Sequence, residues 1–180
     1  MTSENKYRYF NMKAIVACDT HYGIGIHNTL PNWKLKNDLK TFKTLTQGNG
    51  NNAVIMGKNT WLSIGEKPLL NRMNFVLSTT MAEKNENNVW FYNDADELLN
   101  DICVSSYDTV WIIGGSQIYD LFIDYCNSIY ISRTHKHFEC TTFLSEKLIS
   151  LINNNEYVVE DEYGDTETHD GYTRYVYKID

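Results

Sequence analysis

The sequence has no apolar run approaching the roughly 20 residues that a membrane-spanning helix needs. Its first eleven residues, MTSENKYRYFN, lack the apolar centre of a secretory signal. Neither a membrane partner nor export is expected, and the compartment implied is the cytoplasm. Basic charge is also short: 16 Lys and Arg face 23 Asp and Glu, for a net charge of −7. That argues against a broad nucleic-acid surface but leaves room for a small basic pocket holding a phosphorylated ligand. The four cysteines, Cys18, Cys103, Cys126 and Cys140, show no CxxC spacing, and three lie in or beside apolar stretches. They read as free thiols in a reducing compartment. His135 and His137 form an HxH pair in a polar loop with no third ligand in view, so no metal is expected. What remains is a chain of 180 residues, 42% hydrophobic and 13% aromatic. One domain of that length buries about two thirds of its unfolded surface.

Two nucleotide-binding signatures are incomplete. Gly23-Ile24-Gly25 follows the apolar run Met12–Cys18, but Asn28 stands where a third glycine belongs, and Leu30-Pro31 follows instead of a helix. This is a glycine loop at a strand end, where ligands sit in open α/β sheets. Ala53–Gly57 reads as a second buried strand feeding Lys58-Asn59-Thr60 and a short helix. It is not a Walker loop, because Asn52 replaces the required glycine. A strand that runs directly into a helix start with a lysine favours phosphate contact over an ordinary exposed lysine. Val110–Ile113, Gly114-Gly115 and a helix capped by Ser116 repeat the pattern, with glycines that let a ligand approach the backbone closely.

The stretch LPNWKLKNDLKTFKTLTQ, 30–47, carries an acid in an unusual position. Leu35, Leu39, Phe42 and Leu45 recur at helical spacing and predict a buried stripe. Asp38 falls within that arc, where a carboxylate needs a partner. Alternatively, Asn37 or Asp38 caps a helix that starts later. Further on, Arg72 opens the strand Met73–Ser78, and its planar fork suits a carboxylate. Val89–Phe91 is a short strand, and a helix capped by Asp94 or Asn93 runs to Ile102. A strand over 127–134, a helix over 145–152 and a hairpin of YVVEDEY with YTRYVYKI complete the chain. The alternation predicts an α/β fold: a single domain, 12–180, with a mostly parallel sheet, helices on both faces and a C-terminal antiparallel hairpin, preceded by a flexible extension, 1–11.

Taken in order, GIGxxxxLP, the acid four residues before Phe42, VIMGKNTW, PLxNR, VLS and WIIGGSQIY with TFL downstream resemble the dihydrofolate reductase family. The resemblance runs from about Met12 to the C-terminus, with connections like those of the longer eukaryotic-type enzymes. It implies an eight-stranded sheet and hydride transfer from NADPH to C6 of dihydrofolate, with protonation at N5. A monomer is the simplest expectation, and no fusion to thymidylate synthase is expected.

By the same resemblance, Asp38 receives two hydrogen bonds from the pterin, and Thr142 is the threonine that hydrogen-bonds this acid. Ile15, Ala17, Leu30, Leu39, Phe42, Ser63 and Ile64 line the folate pocket, joined by Ile113 and Tyr119, while Arg72 pairs with the glutamate carboxylate. The cofactor set begins with Ala17, Ile24 and Gly25 at the nicotinamide ribose and Lys58, Asn59 and Thr60 at the phosphates. Ser78 and Thr79 fall at the adenosine phosphate. Gly114, Gly115, Ser116, Gln117, Ile118 and Tyr119 form a turn whose Gly114–Gly115 bond is cis in the family. Three departures stand out. The usual Leu-Pro-Trp reads Leu30-Pro31-Asn32-Trp33, so either Trp33 or Asn32 orders the water beside Asp38. Thr79 and Asn93 replace frequent arginines, leaving Lys58 as the main cation for the 2′-phosphate. Gly65 replaces a common proline. Two alternatives are a related riboflavin-pathway pyrimidine reductase and a folate- or nucleotide-binding protein without turnover.

Overall fold

The computed structural model of the chain describes residues 11–81 and 84–179. The expected N-terminal extension lies outside the described residues except for Asn11, whose amide donates to the Asp108 carbonyl and to Thr109 Oγ1.

The apolar run Met12–Cys18 forms β1 with the boundaries its composition predicts. A strand buried on both faces needs neighbours on both edges, and β1 has two parallel ones, β7 (Val110–Ile112) and β8 (Ser128–Thr134). Beyond β7 the parallel run continues through β3 (Asn52–Gly57), β4 (Arg72–Leu77) and β6 (Val89–Tyr92). Beyond β8 lies the predicted antiparallel hairpin, β10 (Tyr157–Tyr163) and β11 (Tyr172–Lys178), with β11 paired to β8. A three-residue strand, β5 (Lys84–Glu86), adds an antiparallel edge to β6. Among the described residues the main sheet therefore has nine strands, in the order β10-β11-β8-β1-β7-β3-β4-β6-β5. The fold class is the expected one; the extra strand is too short and polar to show a period of its own. Likewise, β2 (Gly23–Gly25) and β9 (Thr142–Phe143) pair as a separate ribbon that brings the glycine loop against the segment after β8.

Alternate β1 residues feed two cores. Ile15 joins Val54, Met56, Val76 and Trp111 beneath α1 (Lys36–Gln47) and α2 (Lys58–Ser63), which contribute Phe42, Leu45 and Trp61. Ala14 and Val16 pack with Ile55 beneath α3 (Ala95–Val104), α4 (Ser116–Phe122) and α5 (Glu146–Asn154), through Leu98, Ile102, Phe122 and Leu148. Asp94 caps α3 by accepting from the backbone N–H groups of Asp96 and Glu97, both at 2.9 Å, and Ser145 caps α5.

Three local expectations are corrected. Ser116 is the first residue of α4 and Gly115 holds the cap position, so the serine hydroxyl caps nothing. Neither Asn37 nor Asp38 caps α1: the cap position is Leu35, and Asp38 lies in the first turn. Leu39, predicted to be buried, is 58% exposed, whereas Leu35 is 2% and Thr46 0% exposed. At about 100° per residue, Leu39 falls just past the rim of an arc running from Leu45 through Asp38 and Leu35 to Thr46. Ile55→Ala, at a fully buried β3 position, is expected to cost roughly 2–5 kcal/mol in urea unfolding. Leu39→Ala is expected to stay within about 0.5 kcal/mol of wild type.

Candidate active site

The carboxyl ends of β1, β7, β3 and β4 lie side by side, and each feeds a loop that the sequence marked. β3 ends at Gly57 and passes directly into α2. β7 ends at Ile112, and the chain turns through a cis Gly114–Gly115 peptide into α4. The two turns are joined: the Gly57 N–H donates to the Gly114 carbonyl at 2.8 Å, and the Ile113 N–H donates to the Ile55 carbonyl at 3.0 Å. Glycine is required at both. A Cβ on Gly57 would stand 2.9 Å from Ile118 Cγ1; Gly114 has φ of +110°, and a Cβ there would meet the Tyr119 ring at 3.1–3.2 Å.

Asp38 reaches from the first turn of α1 to the sheet. Its side chain is 15% exposed. One carboxylate oxygen, Oδ1, accepts from Ser132 Oγ at 2.5 Å and from Arg174 Nη2 at 2.8 Å. The other oxygen takes no hydrogen bond from any described residue. The partners sit together because of strand register: Ala17 is opposite Ser132, Ser132 opposite Arg174, and Arg174 opposite Asp161. Cross-strand partners point to the same face, so one row spans four strands beneath the acid. Arg174 is 1% exposed; its Nε donates to Ser132 Oγ at 3.2 Å and its Nη1 to Asp161 Oδ2 at 2.9 Å. Burial alone would lower the guanidinium pKa, but the hydrogen bond and charge of Asp38 outweigh it and hold the pKa above its ordinary value.

This network corrects the expected partner of Asp38. Thr142 lies in β9 opposite Gly25, and it is Ser132 that supplies the hydroxyl. The sequence signal was available, a small polar residue in the buried strand SIYISRT, but the pairing of β8 with β11 depends on register between strands distant in sequence. Arg174 was missed for the same reason. Asn32 is exposed, and Trp33 stacks edge-on against Phe138 with ring centroids 5.6 Å apart; neither hydrogen-bonds Asp38.

The apolar residues expected to line the folate pocket divide by burial. Ile15, Phe42, Ile64 and Ile113 belong to the core under α1 and α2, Ala17 is half-buried, and Leu30 and Leu39 expose most of their surface. Ser63 is exposed and donates to the Thr60 carbonyl, which closes α2. Arg72, expected at a solvated strand edge if it bound nothing, is 7% exposed. It donates through Nη1 to Thr46 Oγ1 at 2.7 Å and through Nε to the Leu70 carbonyl at 3.0 Å. No described carboxylate pairs with it, and burial lowers its pKa.

On the turn side, Lys58 Nζ donates to Thr80 Oγ1 at 2.9 Å, and Thr80 Oγ1 lies 3.3 Å from Ser78 Oγ. Thr79 and Thr80 are both exposed, as are Asn59 and Asn93, and it is Thr80 that contacts Lys58. Thr60 faces Gly115, whose added Cβ would lie 3.8 Å from Thr60 Oγ1. Ile24 is half-buried and Gly25 buried in the ribbon, Ser116 is half-buried, and Gln117 is exposed. Ile118 and Tyr119 are core residues on the α4 side, and the Tyr119 hydroxyl donates to the Ile15 carbonyl at 2.8 Å. Tyr119 supports the β1 end from within the core, and burial raises its pKa.

The family model for dihydrofolate reductase matches residues 11–178. The chain belongs to the dihydrofolate reductase family. It is 32% identical over 134 residues to the dihydrofolate reductase of Ureaplasma parvum, covering 74% of this chain and 81% of the relative. It is 35% identical over 145 residues to the bifunctional dihydrofolate reductase-thymidylate synthase of Paramecium tetraurelia, covering 79% of this chain but only 30% of that longer protein. Among solved structures, dihydrofolate reductase from Enterococcus faecalis, complexed with NADP(H) and RAB-propyl, superposes with a TM-score of 0.80. The identity is 28%, over 94% of this chain and 97% of that one.

The contrast between Ser132 and Thr142 is measurable. Ser132→Ala removes the donor to Asp38 and strips buried Arg174 Nε of its acceptor, an expected loss of roughly 1–3 kcal/mol. Thr142→Ala is expected to lie within about 0.5 kcal/mol of wild type in the same urea titration.

Proposed function

We propose that the chain reduces 7,8-dihydrofolate to 5,6,7,8-tetrahydrofolate with NADPH, feeding one-carbon metabolism, through the site around Asp38. Family membership supports the reaction. The geometric observation that carries the assignment is the Asp38 carboxylate, anchored on one oxygen by Ser132 and Arg174 and uncommitted on the other, at the edge of an apolar wall. A carboxylate held in this way accepts hydrogen bonds from the 2-amino group and adjacent ring nitrogen of a pterin. The orientation this fixes presents C6 to the nicotinamide, and positioning supplies much of the rate. A hydride leaves C4 of the nicotinamide for C6, and a proton from water enters N5; NADPH becomes NADP⁺.

Arg72, buried and without a carboxylate partner among the described residues, is the receptor for the glutamate carboxylate of folate. Its planar fork matches a carboxylate, and such a contact offsets the cost of its burial. Lys58, with Thr80 and Ser78, holds the 2′-phosphate of NADPH. The cis Gly114–Gly115 turn and Thr60 receive the pyrophosphate, and Ala17, Ile24 and Gly25 border the nicotinamide ribose. Either Trp33 or Asn32 orders the water near Asp38. The reductase domain spans 12–180, and the chain works as a monomer in the cytoplasm. No described helix is long and apolar enough to cross a membrane.

Arg174 sets a fixed cation beside the acid that must serve the pterin. Protonation of N5 builds positive charge close to Asp38, and the guanidinium opposes it.

Oxidation of NADPH, followed by its absorbance, is expected to require dihydrofolate. Turnover of a ribosylated pyrimidine instead, or binding of folate without oxidation, would favour the two alternatives. Asp38→Asn is expected to lower kcat/KM by roughly 100-fold or more near neutral pH. Wild-type turnover in that variant would remove Asp38 from the mechanism. For Arg174→Met, the loss of the positive charge favours the protonated pterin. The high-pH limb of kcat/KM is therefore expected to move to higher pH, with melting temperature recorded alongside to separate the loss of a buried pair.

A further inference from the structure

His137, one half of the HxH pair, is exposed but turns away from His135, whose Nε2 lies 2.9 Å from Thr173 Oγ1. The loop after β8 folds back over the end of β1 and brings His137 to Asp19 and His21. Asp19 is completely buried. Its Oδ1 accepts from the backbone N–H groups of His21 and Gly23, both at 2.8 Å, and its Oδ2 accepts from the Phe138 N–H at 2.9 Å. Those three bonds fix the carboxylate before any side chain approaches. Burial raises its pKa, but the backbone donors outweigh this and keep the acid below its ordinary range.

The remaining lone pair of Oδ2 faces His137 Nδ1 at 2.9 Å, and His137 Nδ1 faces His21 Nδ1, also at 2.9 Å. The three ligand atoms lie within 4.8 Å of one another. Hydrogen bonding serves this triad poorly. A proton on His137 Nδ1 is shared between two acceptors, and a second proton on His21 Nδ1 would point at the first. Thr20 Oγ1, 3.2 Å from His21 Nδ1, is the only other described polar side-chain atom hydrogen-bonded to that nitrogen. Three lone pairs converging with room for about one proton is the arrangement that a dication satisfies.

We infer that Asp19, His21 and His137 form a binding site for a divalent transition ion of borderline softness, zinc foremost. Two imidazole nitrogens and one carboxylate oxygen exclude the oxygen-seeking calcium and magnesium and match a three-ligand zinc set with a fourth position open to water. At Zn–N distances of about 2.0–2.1 Å, tetrahedral ligand atoms lie roughly 3.3 Å apart. The two rings therefore need to separate by only a few tenths of an ångström. Both histidines are exposed, which gives the ion a path in, and the three backbone donors on Asp19 supply the outer hydrogen bonds that orient a metal-bound carboxylate. The ion would tie the segment leading into β2 to the segment leading into β9, adding a second clasp to the ribbon that those strands form. This site does not depend on the reductase reading.

The experiment uses the full chain, freed of metal by chelator dialysis. Zn²⁺ titration by calorimetry is expected to show one ion per chain, and Co²⁺ is expected to give tetrahedral visible bands without a thiolate band. Zn²⁺ should also raise the melting temperature by linkage. His21→Gln and His137→Gln, both at exposed positions, are each expected to weaken binding by more than the roughly 10–100-fold that losing an outer partner of a ligand costs. His135→Gln is expected to leave it unchanged. No stoichiometric binding by the intact chain, or binding that survives His137→Gln, overturns the inference.

Discussion

A guanidinium sealed inside a protein has to be surrounded by acceptors, and Arg174 organises the sheet end on which the site is built. Burying an ion is costly enough that removing its partner typically loses about 3–5 kcal/mol. Arg174 draws on a carboxylate from α1, a hydroxyl from β8 and a carboxylate from β10. The row Ala17–Ser132–Arg174–Asp161 is therefore more than a register detail. It fixes how β10, β11, β8 and β1 line up, and it fixes where α1 docks, because Asp38 has to land on that row. The same contact that seats the helix orients the acid on which the proposed reaction rests. One oxygen of that carboxylate serves the structure, and the proposal gives the other to the pterin.

Local chemistry was the part of the fold legible in the sequence. The run MKAIVAC could be read as a candidate central strand, and Asp94 as a cap, since each of these depends on neighbours in the chain. Glycine at 57 and 114 announced tight turns, and both turns are there, joined by a backbone hydrogen bond. The short strands β2, β5 and β9 were not legible. Two or three residues carry no period, and what makes them strands is a partner far away in sequence. Leu39 marks the limit of helical periodicity in another way. The spacing put it in the apolar arc, but the exact rotation of α1 is set by Asp38 gripping the sheet, which a wheel of hydrophobic residues does not know.

The site divides along the same line. Asp38 was legible as an acid out of place on an apolar face, and Lys58, Arg72 and the Gly-Gly turn by their positions at strand ends. The hydroxyl on Asp38 was assigned to Thr142, whose neighbours in sequence resembled a motif. The structure gives that contact to Ser132, because strand register, not motif, decides which side chain stands beneath the acid. Arg174 carried no local signal at all, since an arginine in an edge hairpin is ordinarily solvated. Only the pairing of β11 between β8 and β10 buries it.

Among the described residues, the hairpin that buries Arg174 also ends the sheet and leaves β10 with an open flank. Tyr157, Val158 and Val159 expose roughly half or more of their surface there. An open flank of that kind invites another strand to dock. Here the next three residues are Glu160, Asp161 and Glu162, and the register slips between Val159 and Asp161. A slipped ladder followed by three acids repels an approaching copy of itself and offers it no continuous row of backbone groups. Asp161, which pairs with the buried Arg174 on its inner side, thus also belongs to the acidic run that borders this open flank.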